Sequence, residues 1–244
     1  MHYFFGNIIK DSHQVILVEE EAHHCAVVLR LKEGEQIGIL NKKGTIYIAE
    51  LVSVHKKQCV GKIISENEVL PPKIKFHLVV SPPKNNERLE WLVEKAVELQ
   101  VESFHFVFSD RCIRKQLNLD RLSKIRDAAM KQSINPYSAE IYSYNNLKTL
   151  INMLSNNASA EYFLLHCLGN KEKQLLRPDL LLQIEKSHIQ NVYAFIGPEG
   201  DWTIDEIQMI KENLKNVREI DLGKIRLRTE TAAIYLASVM KMLY

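Results

Sequence analysis

Two loops in this chain combine glycine with charged side chains at a spacing suited to ligand chemistry. In "YAFIGPEGDWTIDEI", Tyr193 to Ile207, an apolar run ends in Gly197-Pro198-Glu199-Gly200 and a helix signal follows. Glycines there let a ligand approach the backbone closely. Thr203 and Glu206 form a Thr-x-x-Glu capping box that starts the helix. Phosphate fits poorly. The chain has neither Gly-x-x-x-x-Gly-Lys-Ser/Thr nor Gly-x-Gly-x-x-Gly. Glu199 and Asp201 would also repel an anion from the positive end of the helix. A neutral or cationic ligand fits better. A plain strand-to-helix turn, with Pro198 presetting φ, accounts for the same residues without any ligand.

The second loop is "LGKIRLRTETAAIYLAS", with Gly223, then Arg226 and Arg228 on alternate positions. Thr229 reads as the N-cap of a last helix, with Glu230 in its first turn. Two arginines ahead of a helix N-terminus cost stability unless an anionic partner is near. The plainer alternative is a capped helix with two solvated arginines. His23-His24-Cys25 would diverge on a helix, so no metal site is expected there. His166 and Cys167 end a strand without an orienting third group, so no catalytic thiol is expected. Trp91 in "RLEWLVEKAVEL" reads as a core aromatic of an amphipathic helix.

The elements that position these loops fall into two blocks. The first ~70 residues are strand-like: "QVILVE", "QIGIL", "GTIYIAELVSV" and "QCVGKIIS". A turn falls at Asn41 to Gly44. One short helix runs between, with Ala22, Ala26, Val27 and Leu29 on its inner face and an end at Gly34. The expectation is a small β-barrel over residues 1–70. "VLPPK", Val69 to Lys73, is a linker, since paired prolines break both helix and strand. From Lys73 onward strand-like and helix-like runs alternate, which predicts an α/β domain with a largely parallel sheet over residues 73–244. Sites in such sheets lie at the carboxyl ends of the strands. Three segments qualify: Leu164 to Asn170, Ile196 to Thr203 and Asp221 to Thr231.

Composition is that of a soluble globular protein, with 46% hydrophobic and 25% charged residues in 244. No apolar run approaches the ~18–20 residues a bilayer span needs. "MHYFFGNIIK" does not read as a signal peptide. Four scattered cysteines, without a Cys-x-x-Cys pair, suit reduced thiols in the cytoplasm. Net charge is +2, but Arg111 to Lys131 carries seven Lys/Arg against two Asp/Glu, a local +5. Such a stretch can contact phosphate backbones, or can be a solvated helix face beside a basic loop.

Taken together these loops resemble the SPOUT class of S-adenosylmethionine-dependent RNA methyltransferases. Within it, the similarity is to the family that methylates N3 of a uridine in small-subunit (16S) ribosomal RNA (RsmE). "IGPEG" and "LRTETAA" resemble its cofactor loops. "KNNERLEWLVEKAVEL", "SDRCIRK" and "AAMKQS" resemble its earlier motifs, and "HHCAVVLRLKEGE" its N-terminal PUA-like RNA-binding barrel. The resemblance implies an α/β domain with a C-terminal trefoil knot, a homodimer, and S-adenosylmethionine as cofactor. It implies small-subunit ribosomal RNA or an assembling small subunit as partner, not DNA or a membrane. A SPOUT enzyme of another RNA position, or a catalytically silent assembly factor on the same fold, would share these features.

On matching positions the cofactor would be held by Leu165 and His166, by Gly197, Glu199 and Gly200, and by Leu222, Gly223, Leu227 and Arg228. Arg228 is the expected anion-stabilising and orienting group. Glu230 or Glu199 is the candidate proton acceptor. Arg111, Arg114, Lys115 and Lys131 are the expected RNA phosphate contacts. The chain departs from the family's usual pattern in three places. Asp201 and Gln100 stand where glycine is usual, and Ile225-Arg226 reverses the usual order of arginine and apolar residue.

Overall fold

The computed structural model describes residues 1–168 and 173–243. Gly169 and Asn170, in the first of the three expected site segments, lie outside them. The chain divides into two units, Met1–Pro71 with Asp127–Ser138, and Pro72–Arg126 with Ala139–Tyr244.

The first unit is built on a six-stranded sheet in the order β1-β4-β5-β6-β3-β2. Its strands are β1 (His2–Phe4), β2 (Asn7–Ile9), β3 (Gln14–Val18), β4 (Gln36–Leu40), β5 (Thr45–His55) and β6 (Gln58–Glu68). β1 pairs parallel to β4, and the remaining neighbours pair antiparallel. β1 and β2 come from "MHYFFGNIIK", where three-residue runs are too short to show alternation. Helix α1 (Glu19–His23) passes into a π-helical turn, His24–Val28. The expected inner face changes accordingly. Ala22 and Cys25 are buried, Ala26 and Leu29 half-buried, and Val27 is 44% exposed. A π-turn holds an extra residue per turn, so it rotates the following side chains off the α-helical stripe.

The turn at Asn41 forms as expected. Asn41 Oδ1 accepts from the N–H groups of Lys43 at 2.8 Å and Thr45 at 2.9 Å. Gly44, at φ +103°, is required by its neighbour, because a Cβ there would lie 2.3 Å from Tyr137 Oη. Tyr137 in turn donates its hydroxyl to Val69 O at 2.6 Å. Residues 127–138 belong with this unit through such contacts, including ion pairs Lys42–Asp127 at 2.7 Å and Lys131–Glu21 at 2.6 Å.

The second unit carries a seven-stranded sheet in the order β11-β13-β10-β12-β7-β8-β9, parallel throughout. The strands are β7 (Lys75–Val80), β8 (Ser103–Val107), β9 (Glu140–Tyr144), β10 (Ala160–Leu165), β11 (Gln174–Leu175), β12 (Asn191–Ile196) and β13 (Val217–Asp221). The helices that alternate with them are α2 (Asn86–Glu98), α3 (Leu119–Ser133), α4 (Leu147–Leu154), α5 (Pro178–Glu185), α6 (Ile204–Asn213) and α7 (Thr229–Met240). β8 and β10 are buried along their whole length, as strands covered on both faces must be. Among the described residues no helix is long and apolar enough to cross a membrane.

Helix α2 buries Leu89, Leu92, Val93, Ala96 and Val97, a stripe at helical spacing. Trp91 lies off that stripe and is 43% exposed, which corrects its expected place in the core. The helix ends at Glu98 and is followed, after Leu99, by Gln100, whose φ is +61° and whose N–H donates to Val97 O at 3.0 Å. A left-handed residue after a helix favours glycine, which accounts for the family's usual choice there.

A chain of polar side chains crosses β7, β8, β9 and β12. His77 Nε2 meets Asn191 Oδ1 at 3.0 Å, and its Nδ1 meets Ser103 Oγ at 2.7 Å. His105 Nε2 meets Ser103 Oγ at 2.8 Å, and its Nδ1 meets Tyr144 Oη at 3.1 Å. Neutral imidazoles satisfy this chain, one ring nitrogen of each donating and the other accepting. Burial pushes His77 down to about 4, and burial with the neighbouring His77 pushes His105 down to about 3. The unfolded chain therefore binds more protons than the folded one below the ordinary histidine value of about 6.5. Stability is full above about pH 6.5 and falls as pH drops toward 4, by up to about 1.4 kcal/mol per pH unit for each histidine. Urea denaturation of wild type and His105→Gln between pH 7 and 4.5 checks this. The variant should be less stable at pH 7 but show a shallower pH slope, and equal slopes would contradict the assignment.

Candidate active site

Strands β10, β12 and β13 lie side by side, with β10 in the centre. Leu165 is in register with Ile196, and Leu164 with Glu219. Their three following loops therefore leave the carboxyl edge of the sheet together. They enclose a pocket of about 630 Å³, within the range of ~300–1,000 Å³ usual for small-molecule sites.

The middle loop, after β12, is held by its carbonyl groups. Thr229 Oγ1 donates to Gly197 O at 2.8 Å, and an Arg226 Nη2 donates to Glu199 O at 3.1 Å. Arg111 Nη1 donates to Gly200 O at 2.9 Å and to Trp202 O at 3.4 Å. Within the loop, Asp201 N–H closes a turn on Pro198 O at 2.9 Å. The capping box forms as the sequence predicts. Glu206 N–H donates to Thr203 Oγ1 at 3.2 Å, and Thr203 N–H donates to Glu206 Oε2 at 2.8 Å.

The acidic side chains of the turn have local partners. Asp201 accepts from Cys167 N–H at 2.6 Å and from Trp202 N–H at 2.8 Å, so it ties the first loop to the middle one. Its φ is +64°, a conformation that aspartate tolerates better than most side chains. Glu199 Oε1 accepts from Lys84 N–H at 3.0 Å. The negative charges that argued against phosphate thus serve backbone N–H groups of neighbouring loops.

In the first loop the His166 imidazole is buried and its Nε2 meets Glu219 Oε2 at 2.7 Å. Lys173 Nζ donates to His166 O. The last loop turns at Gly223, φ +119°, whose N–H donates to Asp221 Oδ1 at 2.9 Å. Arg228, not Thr229, is the N-cap residue of α7, and its side chain makes no capping bond. Thr229 is the first helical residue, and its hydroxyl reaches Gly197 O instead.

The expected cofactor residues come together with one exception, Gly200, and the expected proton acceptor Glu230 stays outside the pocket. Leu165, His166, Gly197 and Glu199 line the pocket, as do Leu222, Gly223, Leu227 and Arg228. Gly200 does not line it and lies against the Arg111 side chain, 3.2 Å from Arg111 Cβ to where its own Cβ would be. Glu230 is also outside the lining. It is 8% exposed and faces Arg88 Nε at 3.6 Å. The Arg228 side chain forms no hydrogen bond or ion pair with the described residues, and the residue is exposed at the pocket. Ile225 is 81% exposed while Arg226 bonds Glu199 O, so the reversed order sends the two side chains to different places.

The expected phosphate contacts separate. Arg111 holds the middle loop, and Arg114 donates to Pro83 O at 3.0 Å and Lys84 O at 2.8 Å. Lys131 pairs with Glu21, and only Lys115 of the four makes no bond to the described residues. Sequence reasoning missed Asp201, Thr229 and Asp221 as loop-fixing groups. Their signal was position, a hydrogen-bonding residue at the end of each strand or start of each helix.

One unit is α/β with a pocket built from three loops at its carboxyl edge, the arrangement of a ligand-binding fold, and the other is β-rich. The chain belongs to the RNA methyltransferase domain family, whose model matches residues 70–241. An RNA methyltransferase PUA domain model matches residues 17–64. A ribosomal RNA small subunit methyltransferase E of Aquifex aeolicus (strain VF5) is 28% identical, over 98% of this chain and 99% of its own. One from Bacillus subtilis (strain 168) is 25% identical, over 95% and 91%. A Legionella pneumophila structure in complex with bound SAM is 25% identical, with TM-score 0.80 over 99% of this chain and 96% of that one.

Asp201 is the residue on which the first and middle loops meet. Asp201→Asn keeps one of the two acceptor oxygens and tolerates the left-handed backbone, but sets its NH2 against the other N–H, so it should cost about 1–2 kcal/mol. Asp201→Ala loses both bonds and strains the backbone, and should cost about 2–3 kcal/mol. Chemical denaturation compares them, and equal stability of the two variants would refute the role.

Proposed function

We propose that this protein transfers a methyl group from S-adenosylmethionine to N3 of a uridine in small-subunit (16S) ribosomal RNA. The observation that carries the reading is the pocket at the carboxyl edge of the sheet, with an uncommitted Arg228 at its mouth. Its lining fits the cofactor. Leu165, Ile196, Ile220 and Ala232 supply apolar surface for an adenine, and the three loops supply backbone polar groups for its edge. When bound, S-adenosylmethionine supplies an electrophilic methyl group on a sulfonium.

The chain's own residues do the rest. Methylation at N3 requires loss of the N3 proton and stabilisation of the resulting anion. Arg228 stands at the positive end of α7, and its guanidinium is not engaged elsewhere, so it stabilises and orients that anion. Glu230 is paired with Arg88, and Glu199 accepts from Lys84 N–H. Neither carboxylate is an idle base, and in this reading the proton leaves to solvent. Much of the rate then comes from positioning. Arg228→Ala should lower methylation of small-subunit ribosomal RNA about 100-fold or more, the usual loss on removing one anion-stabilising donor. Calorimetric titration with S-adenosylmethionine should still show binding. Near wild-type methylation by the variant would sink the role, and no binding by wild type would sink the function.

The same reading includes a homodimer, a C-terminal knot and a reducing cytoplasmic setting. The strand order supports the knot, because the chain returns from β12 to pair β13 on the far side of β10. Buried unpaired thiols at Cys25, Cys59 and Cys112 suit a reducing compartment. A partly exposed apolar face on α2, α7 and the turn after α7, formed by Trp91, Ile234, Tyr235, Val239 and Met242, supports the homodimer. An apolar face of this kind suits a two-fold contact with a second copy. Trp91→Glu should then shift sedimentation from dimer to monomer, whereas an unaltered profile would count against this face.

A further inference from the structure

The stretch Ser109 to Lys115 carries three of the cations expected to meet RNA, yet two of them point into the protein's own loops. Arg111 donates to Gly200 O at 2.9 Å and Trp202 O at 3.4 Å. Its aliphatic stem lies where a Cβ on Gly200 would meet Arg111 Cβ at 3.2 Å and Cδ at 3.5 Å. Beside it, Asp110 N–H donates to Glu206 Oε1 at 2.9 Å, on the first turn of α6. Arg114 binds Pro83 O and Lys84 O, and Lys84 N–H donates to Glu199 Oε1 at 3.0 Å. The loop after β8 is therefore bonded to both ends of the loop after β12, once directly and once through the loop after β7.

We propose that Arg111 is a positioning residue for cofactor binding: it holds the middle loop in the shape that receives S-adenosylmethionine. Arg114 supports the same loop through Lys84, and Lys115 is the phosphate contact of this stretch. The assignment rests on the cofactor reading above. Both Arg111 bonds leave one nitrogen, Nη1, at the end of a planar group of fixed orientation, whereas a lysine ammonium ends a shorter, flexible stem that must be ordered to reach the same two oxygens. An RNA phosphate, by contrast, is served nearly as well by lysine as by arginine at a surface contact.

This difference makes Arg111→Lys the informative variant. Calorimetry with S-adenosylmethionine should show affinity about tenfold weaker than wild type, as for loss of a charged hydrogen bond at an exposed site. Binding to purified small-subunit ribosomal RNA, and its salt dependence, should be unchanged for this variant. Lys115→Ala should do the reverse, keeping cofactor affinity and reducing the salt slope by about one. Arg111→Lys within twofold of wild type for the cofactor would overturn the proposal. So would a reduced salt slope for that variant. Wild-type protein that takes up no S-adenosylmethionine would instead overturn the underlying reading, and this assignment with it.

Discussion

Four backbone carbonyls of one loop, at Gly197, Glu199, Gly200 and Trp202, each accept a hydrogen bond from a side chain elsewhere in the chain. Thr229, Arg226 and Arg111 are the donors. Each bond contributes only about 1 kcal/mol net, or somewhat more where the donor is charged. Their larger effect is on freedom. With the carbonyls held, the peptide planes are held, and the N–H groups on their opposite sides are aimed as well. A loop fixed in the folded protein does not lose that freedom again when a ligand arrives.

That restraint depends on the sheet. β10 lies between β13 and β12, so the loops after all three strands start within neighbouring register positions. Only then can Asp201, in the middle loop, accept from Cys167 N–H in the first, and Thr229, after the last, reach Gly197. Glycine at 197 keeps this packing possible, since a Cβ would come within 3.1 Å of Trp202 N. Backbone strain sits in the same place, at Asp201 with φ +64°, and is held by the two bonds its carboxylate accepts.

Arginines divide between two tasks according to geometry rather than type. Arg111, Arg114 and Arg226 donate to main-chain oxygens of the loops. Arg228, at the N-cap of α7, donates to no described residue and faces the pocket. A guanidinium already bonded to carbonyls is costly to redirect, because its acceptors would be left unpaired. An uncommitted one beside a helix N-terminus keeps its positive charge for an incoming anion.

Much was legible in the residue order. The alternation after Lys73, the turn at Asn41, the capping box at Thr203 and the three loop segments of the site follow from periodicity and turn chemistry, which act over a few residues. The two- and three-residue strands β1, β2 and β11 were not legible, being shorter than any period. The outward position of Trp91 and the π-turn after His23 were hidden as well. Both depend on which face the rest of the chain covers. The roles of Asp201, Thr229 and Arg111 belong to the same class. Residue type alone marked them as a charge, a cap and a phosphate contact. Their partners lie 34, 32 and 89 residues away, and only folding brings a donor and an acceptor so separated within reach. The sequence by itself therefore determined which loops carry the site, because that signal is local. The tertiary structure decided which side chains face the ligand and which hold the loops, because a hydrogen bond is made by distance in space and not along the chain.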